Sequence, residues 1–289
     1  MVHPIKQVAA VHDLSGFGRA SLTVVIPVLS AMGVQVCPLP TSLLSTNCTF
    51  EGYYMNDFTE PMKAILAHWK KMNLKFDAIY TGFLGSPEQV PIVESMIDDF
   101  SKQNTLVVVD PVLADEGELY SSFNMDMVRA MRSLYKKARV ITPNLTEMFL
   151  LLDEPYNPYP GQEQLRNYIL QLSLQGPEVV VVSSISEREN DKYSSVIAYD
   201  RCTEKFWKVS CEYIPASYPG TGDVLASVII GSLLQGDSLP LALDRAIHFI
   251  SYGIRSTFGY DYDSREGILL EKILPTLSTP IPLLSYEWM

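Results

Sequence analysis

Hydrophobic positions along the chain fall into two alternating rhythms. Short apolar runs rich in β-branched residues occur as QVAAV at 7–11, VQVCP at 34–38, AIYTG at 78–82, LVVVD at 106–110, VIT at 140–142 and VVVVS at 179–183. They read as strands buried on both faces. Between them, apolar residues recur at helical spacing and predict helices over 23–32, 61–74, 88–100, 125–137 and 162–175, with another starting near Leu145. Gly33 stops the first of these. Two further helices are predicted over 221–235 and 239–255, and 193–199 with 204–209 reads as a strand pair with charged faces. Strands that alternate with helices imply a mainly parallel central sheet covered by helices on both faces, an α/β fold in three layers. NPYPG at 157–161 is too short a connection to divide the chain, so one domain over 1–289 is expected.

This pattern also points to a site. Ligands of open α/β sheets gather beyond the carboxyl ends of the strands. Asp13, the segment 42–49, Gly82, Asp110, Asn144 and Ser183 each follow a predicted strand. Together they outline one polar rim.

Charge narrows the choice of partner. The chain carries 22 Lys and Arg against 33 Asp and Glu, a formal net charge of −11. A nucleic-acid grip wants clustered positive charge, so that class is set aside. Small anions are still allowed, because backbone N–H groups can hold them within a negative protein. Hydrophobic residues make up 47% of the chain, which excludes a disordered one. The charge is unevenly spread: Ala20 to Phe50 holds no Asp, Glu, Lys, Arg or His. Pro27, Ser30, Gly33 and Gln35 interrupt this stretch, and a span needs about 18 or more consecutive apolar residues. A buried helix and strand is the better reading. The opening MVHPIKQVAAVHD lacks a leader pattern, and Cys37, Cys48, Cys202 and Cys211 show no paired spacing. Reduced thiols and a cytoplasmic location are expected.

Three segments carry candidate chemistry. In YPGTGDVLAS, Gly220, Thr221 and Gly222 stand directly before a long apolar helix. N–H groups at such a helix start can hold a phosphate or a developing oxyanion, and Asp223 in the same turn can take a proton from an attacking hydroxyl. Capping of the helix by Thr221 or Asp223 explains the same residues without chemistry. DPVLADEGELY offers Asp110 and Asp115 as oxygen ligands for Mg²⁺, or as two solvated carboxylates at a strand exit. TPNLTE presents Asn144 and Glu147 toward the rim, or as an ordinary acidic helix start. A Walker-type GxxxxGK run does not occur.

The order of DLSGFGRASL, TGFLGS, DPVLADEGELY, TPNLTE and PGTGDVLAS resembles the vitamin B6 kinases of the ribokinase-like superfamily, specifically pyridoxal or pyridoxamine kinases. The likeness runs from about residue 7 to residue 255. It implies a ribokinase-like fold, ATP as phosphoryl donor with Mg²⁺, and a homodimer, and leaves a monovalent-cation requirement open. The acceptor implied is the hydroxymethyl group of pyridoxal, pyridoxine or pyridoxamine. By resemblance Asp223 is the catalytic base, and Gly220, Thr221 and Gly222 form the anion hole. Asn144, Glu147, Ser183 and Thr221 fall on the nucleotide side, with Asp110, Asp115 and Glu147 toward the metal. Asp13, Ser15, Thr46, Asn47, Thr49, Gly82 and Phe83, with Asp223, surround the acceptor. The charged strand pair with EREND at 187–191 suggests a flap over the nucleotide, within 184–209.

The chain departs from the family pattern at Val11, Cys48, Phe50 and Ala114, where serine, histidine, glycine and glycine are usual. Asp13 instead resembles the hydroxymethylpyrimidine kinases of the same fold. A hydroxymethylpyrimidine or related small-alcohol kinase is therefore the nearest competing reading. A non-catalytic vitamin- or nucleotide-binding protein is the other, which the intact glycine turn and Asp223 oppose.

Overall fold

The structure is a computed structural model that describes residues 3–186, 188 and 192–278, and the backbone of 286–288. The first strand, β1 (Gln7–Ser15), is followed by α1 (Leu22–Ala31), β2 (Gln35–Leu44), β3 (Met55–Asp57), α2 (Thr59–Lys71), β4 (Ala78–Thr81) and α3 (Gln89–Phe100). Next come β5 (Leu106–Val109), a small hairpin of β6 (Ala114–Asp115) and β7 (Glu118–Leu119), α4 (Met125–Leu134), β8 (Val140–Ile141), α5 (Leu145–Leu152) and α6 (Gln162–Leu174). The chain closes with β9 (Val179–Ile185), β10 (Tyr193–Asp200), β11 (Lys205–Glu212), α7 (Thr221–Gln235), α8 (Leu239–Phe258), α9 (Leu270–Ile273) and β12 (Tyr286–Trp288).

Among the described residues, ten strands form one sheet in the order β12-β11-β10-β9-β8-β5-β4-β1-β2-β3. The six central strands from β9 to β2 are parallel, and the outer pairings are antiparallel. This is the predicted mainly parallel sheet. Alternate side chains of β1 enter opposite cores. Ala9 and Val11 pack with α2 to α6, while Val8 and Ala10 pack with α1, α7, α8 and α9. Burial on both faces explains why the central strands read as unbroken apolar runs.

The uncharged stretch is a helix and a strand, as expected. Half of α1 is buried, and among the described residues no helix is long and apolar enough to cross a membrane. β2 extends further than the sequence suggested, through Thr41–Leu44. Pro38 and Pro40 are tolerated because β3 pairs with β2 only from Ser42 onward, so their side of the strand is a free edge. Strands β3, β6, β7 and β12 were not legible, each being only two or three residues long.

Strand order reverses at β1, which has β2 on one side and β4 on the other. Crevices at such reversals are where ligands of open sheets bind. The β1–β2 register shifts between His12 and Leu14, which places an irregularity at Asp13. Irregular pairing of this kind re-aims side chains next to sites. The strand pair β10–β11 is built into the sheet, with Val196, Ile197, Phe206 and Val209 buried, so it is not a free flap. Of EREND, Glu187, Glu189, Asn190 and Asp191 lie outside the described residues.

Candidate active site

The site is built around the start of α7. Gly220 caps the helix with φ 82°, a left-handed conformation that glycine adopts without strain. It also lies tight against the chain after β1: a Cβ here would sit 2.3 Å from the Arg19 carbonyl oxygen. Gly222 is open by contrast, and a Cβ there would meet only Asp110 Oδ2, at 3.9 Å. The Thr221 hydroxyl donates to the Tyr218 carbonyl at 3.1 Å.

Asp223 sits in that first turn with its side chain 12% exposed. Its Oδ2 accepts the Ser21 N–H at 2.7 Å. Burial lifts its pKa to about 7, opposed by that N–H bond and assisted by the charge of Asp13. A carboxyl poised there suits proton abstraction near neutral pH.

On one side of Asp223 lie the carboxylates after β5 and at α5. Asp110 is buried, and burial followed by the charges of Glu147 and Asp223 raises its pKa. Glu147 is buried too, and burial raises its pKa despite the N–H groups it accepts. The Asn144–Glu147 pair forms a capping box: Asn144 Oδ1 accepts the Glu147 N–H at 2.9 Å, and Glu147 Oε2 accepts the Asn144 N–H at 2.8 Å. Both residues also grip the segment where the chain enters the hairpin. Glu147 Oε1 accepts the Leu113 N–H at 3.0 Å, and Asn144 Nδ2 donates to the Ala114 carbonyl at 2.7 Å. The capping reading of these two residues is therefore correct in itself, and it does not exclude a ligand on their remaining lone pairs. A bridge pairs Asn144 with Ser183 of β9, so those two expected neighbours do meet.

Asp115 is exposed, its Oδ1 accepting the Glu116 N–H at 3.0 Å. Among the described residues no three His, Cys, Asp or Glu side chains converge as a metal cage. Asp110, Asp115 and Glu147 are thus not a closed site in themselves. Hard carboxylate oxygens near an acid-rich rim still fit Mg²⁺, which keeps several waters and takes its other ligands from phosphates.

On the other side of Asp223 lies the end of β1. Asp13 is buried, with burial raising its pKa and the Ser21 and Ser15 hydroxyls opposing the shift. Ser15 Oγ donates to Asp13 Oδ2 at 2.9 Å from a fully buried position, so it holds Asp13 rather than facing the open rim. Cys48 faces the same carboxyl, and burial plus the charge of Asp13 push its thiol up to about 11.

Several expected acceptor residues are already committed. Asn47 donates to the Arg265 carbonyl at 2.8 Å and accepts the Thr49 N–H at 3.0 Å. Thr46 Oγ1 donates to the Asn47 carbonyl at 3.2 Å. Phe83 is buried and stacks on Phe123 with centroids 5.1 Å apart. A Cβ at Gly82 would lie 2.3 Å from the His12 ring. Among the departures, Val11 and Ala114 are wholly buried, while Phe50 packs edge-on to Phe17 beneath the Arg265 guanidinium.

Sequence reasoning passed over three residues that the fold brings to this site and left a fourth, His12, as one that could touch substrate without being needed by the chemistry. Ser21, Thr142, Tyr80 and His12 surround Asp223 and Asp110. The His12-Asp13 pair at a strand exit was the one usable signal for His12, since hydroxyls on buried segments look like core.

An α/β sheet with an acid-rich rim and a glycine turn at a helix start is an arrangement that suits a small-molecule kinase. Chains of closely similar structure agree. A Bacteroides thetaiotaomicron protein described as a phosphomethylpyrimidine kinase, solved with pyridoxal, is 57% identical, with a TM-score of 0.96 over 99% of this chain and 100% of its own. Pyridoxal kinase from Lactobacillus plantarum is 32% identical, with a TM-score of 0.86 over 94% of this chain and 96% of its own. Pyridoxal kinase from Leishmania donovani, solved with ADP and pyridoxamine, is alike in fold, at 20% identity and a TM-score of 0.87 over 98% of this chain and 99% of its own. The model of the phosphomethylpyrimidine kinase family matches residues 25–266, and the chain belongs to that family. It is a phosphotransferase of the pyridoxal kinase type, with an alcohol group as acceptor.

Proposed function

We propose that the protein transfers the γ-phosphoryl group of ATP to the hydroxymethyl group of pyridoxal, pyridoxamine or pyridoxine. The observation that carries this reading is the position of Asp223. Its largely buried carboxyl, with a pKa of about 7, stands in the glycine turn at the start of α7, between the Asp13 rim and the Asp110–Glu147 rim. Asp223 takes the hydroxyl proton as the oxygen attacks the γ-phosphorus, and the bond to the ADP oxygen breaks. N–H groups of Gly220, Thr221 and Gly222 receive the negative charge of the transferring group. Asn144, Ser183 and Thr221 orient the nucleotide, with Glu147 fixing the segment before the hairpin beside it.

Asp110, Asp115 and Glu147 are the residues that would hold Mg²⁺, directly or through water. The ion would neutralise phosphate charge there. On the acceptor side Asp13, held by Ser15, gives the pocket a directional polar group, and Phe83 and Gly82 form its packed floor. Thr46, Asn47 and Thr49 shape the adjoining loop through their own hydrogen bonds. A cytoplasmic homodimer completes the proposal, with sedimentation as the test of the dimer, and turnover with and without K⁺ decides whether a monovalent cation is required.

Asp13 and the family match favour hydroxymethylpyrimidine as the second reading. A four-substrate panel with Mg-ATP, followed by ³¹P detection of product, separates the two. Phosphorylation of the pyrimidine alone overturns the vitamin B6 reading, and binding without turnover across the panel overturns both.

A further inference from the structure

β1 leaves the core at His12, whose side chain is wholly enclosed, with no hydrogen-bond partner on either ring nitrogen among the described residues. The ring stands edge-on to Tyr80, with centroids 4.3 Å apart and planes at 70°. Gly82 closes another approach, since a Cβ there would lie 2.3 Å from both Cε1 and Nδ1. The ring is therefore held in place, and the glycine at 82 answers to it. A buried imidazole N–H without an acceptor is costly, so an acceptor within reach matters. Asp223 stands close enough to be one, with Nδ1 3.6 Å from Oδ1. The separation is a few tenths of an ångström beyond a hydrogen bond, and contacts of this kind in unliganded sites shorten when substrate binds.

We infer that His12 is a positioning residue for Asp223, donating its Nδ1–H to Oδ1 while the Ser21 N–H holds Oδ2. The inference rests on the reading of Asp223 as the base. Two donors on opposite oxygens fix the plane of the carboxylate and leave further lone pairs for the acceptor hydroxyl. They also favour the ionised form, which is the form that accepts a proton. Burial holds the imidazole pKa down to about 3, so the ring is neutral and has one N–H to give. The other titratable groups facing Asp223 are Asp13 on β1, Tyr80 on β4, Asp110 after β5 and Tyr120 after β7. All four are acids whose ionised forms oppose a charge on Asp223, which leaves the Ser21 N–H and His12 to favour it.

Two substitutions separate the donor from the bulk of the ring. His12→Leu keeps an apolar side chain and removes the donor. His12→Asn places an amide nitrogen near the position of Nδ1. The leucine variant is expected to move the acidic limb of kcat/KM upward by about one pH unit and to lower kcat about tenfold, with KM for ATP unchanged. Asparagine is expected to return the limb toward its original position. An unshifted limb in His12→Leu, or equal displacement in both variants, overturns the inference. Should neither variant fold, the ¹⁵N shifts of the wild-type imidazole decide: the Nδ1–H tautomer supports the inference and the Nε2–H tautomer overturns it. The tautomer is read independently of turnover, so it separates a failure here from a failure of the base assignment, which Asp223→Asn kinetics tests.

Discussion

The N–H of Ser21 donates to Oδ2 of Asp223 at 2.7 Å, joining residues 202 positions apart. The bond ties the start of α1 to the start of α7, and Ser21 adopts φ 53° at that point. Positive φ in a non-glycine residue is held only where its surroundings compensate. Here the contact aims the carboxylate that the proposed mechanism uses as base. Asparagine at 223 can still accept from Ser21 through its amide oxygen, so the local fold survives while the base is lost. Asp223→Asn is expected to lower kcat by about 10²- to 10⁴-fold with nucleotide affinity retained. Steady-state kinetics beside calorimetric ADP titration measures both, and full turnover in the variant rejects the assignment.

Activity should depend on pH through the same group. With a pKa of about 7, Asp223 is largely protonated at pH 6 and largely ionised at pH 8. A base must be ionised to act, so kcat/KM rises with pH through neutrality. A profile flat between about pH 5.5 and 8 would contradict this.

Stability should move the other way. Asp223 goes from 3.8 to about 7 on folding, so between those values the folded protein binds more protons than the unfolded chain. Stability from this group is therefore lost as pH rises through the window. Asp110 and Glu147, also raised by burial, act in the same direction. Asp77, lowered by its hydrogen bond to Gln7 and by Lys102, contributes the opposite slope at lower pH. The unliganded protein is expected to melt at a lower temperature at pH 8 than at pH 6, with Mg-ATP reducing the difference. Asp223→Asn should raise the Tm at pH 8 by roughly 2–4 °C per kcal/mol of relieved charge burial. Calorimetry at the two pH values checks the sign, and a lower Tm in the variant would show that the carboxylate is stabilised, not strained.

The fold was legible because its central strands are buried on both faces and its helices carry clear periodicity. α7 was located within its observed bounds, since Gly220 and Gly236 punctuate it at both ends. Short edge pieces such as β3 and β6 carry too few residues for a pattern. Of the acidic residues that the sequence offered, Asp110 and Glu147 come together under burial, where an unpaired charge is costly, whereas Asp115 is exposed. The acceptor side was less legible. Asn47 and Thr49 look like ligands in sequence, yet their hydrogen bonds are spent on each other and on Arg265. His12 carries no signal of this role in the sequence, because its relation to Asp223 exists only once β1 and α7 are packed together.

Gly220 and Gly222 look alike in sequence but should respond differently to alanine. At Gly220 the left-handed φ of 82° disfavours any side chain, and a methyl would lie 2.3 Å from the backbone oxygen of Arg19. Neither atom belongs to a flexible side-chain end, so the turn itself must move. Gly220→Ala is expected to destabilise the protein by about 1–3 kcal/mol, through strain and displacement of the α1 start. At Gly222 the backbone is helical and the methyl meets only Asp110 Oδ2, at 3.9 Å. Alanine there should leave folding intact or improve it by up to about 1 kcal/mol, as alanine does in a helix. The methyl would nevertheless stand in the open space beside Asp110, where the proposed mechanism puts the transferring phosphoryl group. Activity of Gly222→Ala should therefore fall while its Tm holds, whereas Gly220→Ala loses both. Thermal melting paired with kcat measurement for the two variants distinguishes these outcomes, and full activity in Gly222→Ala would remove the anion-hole role from that turn.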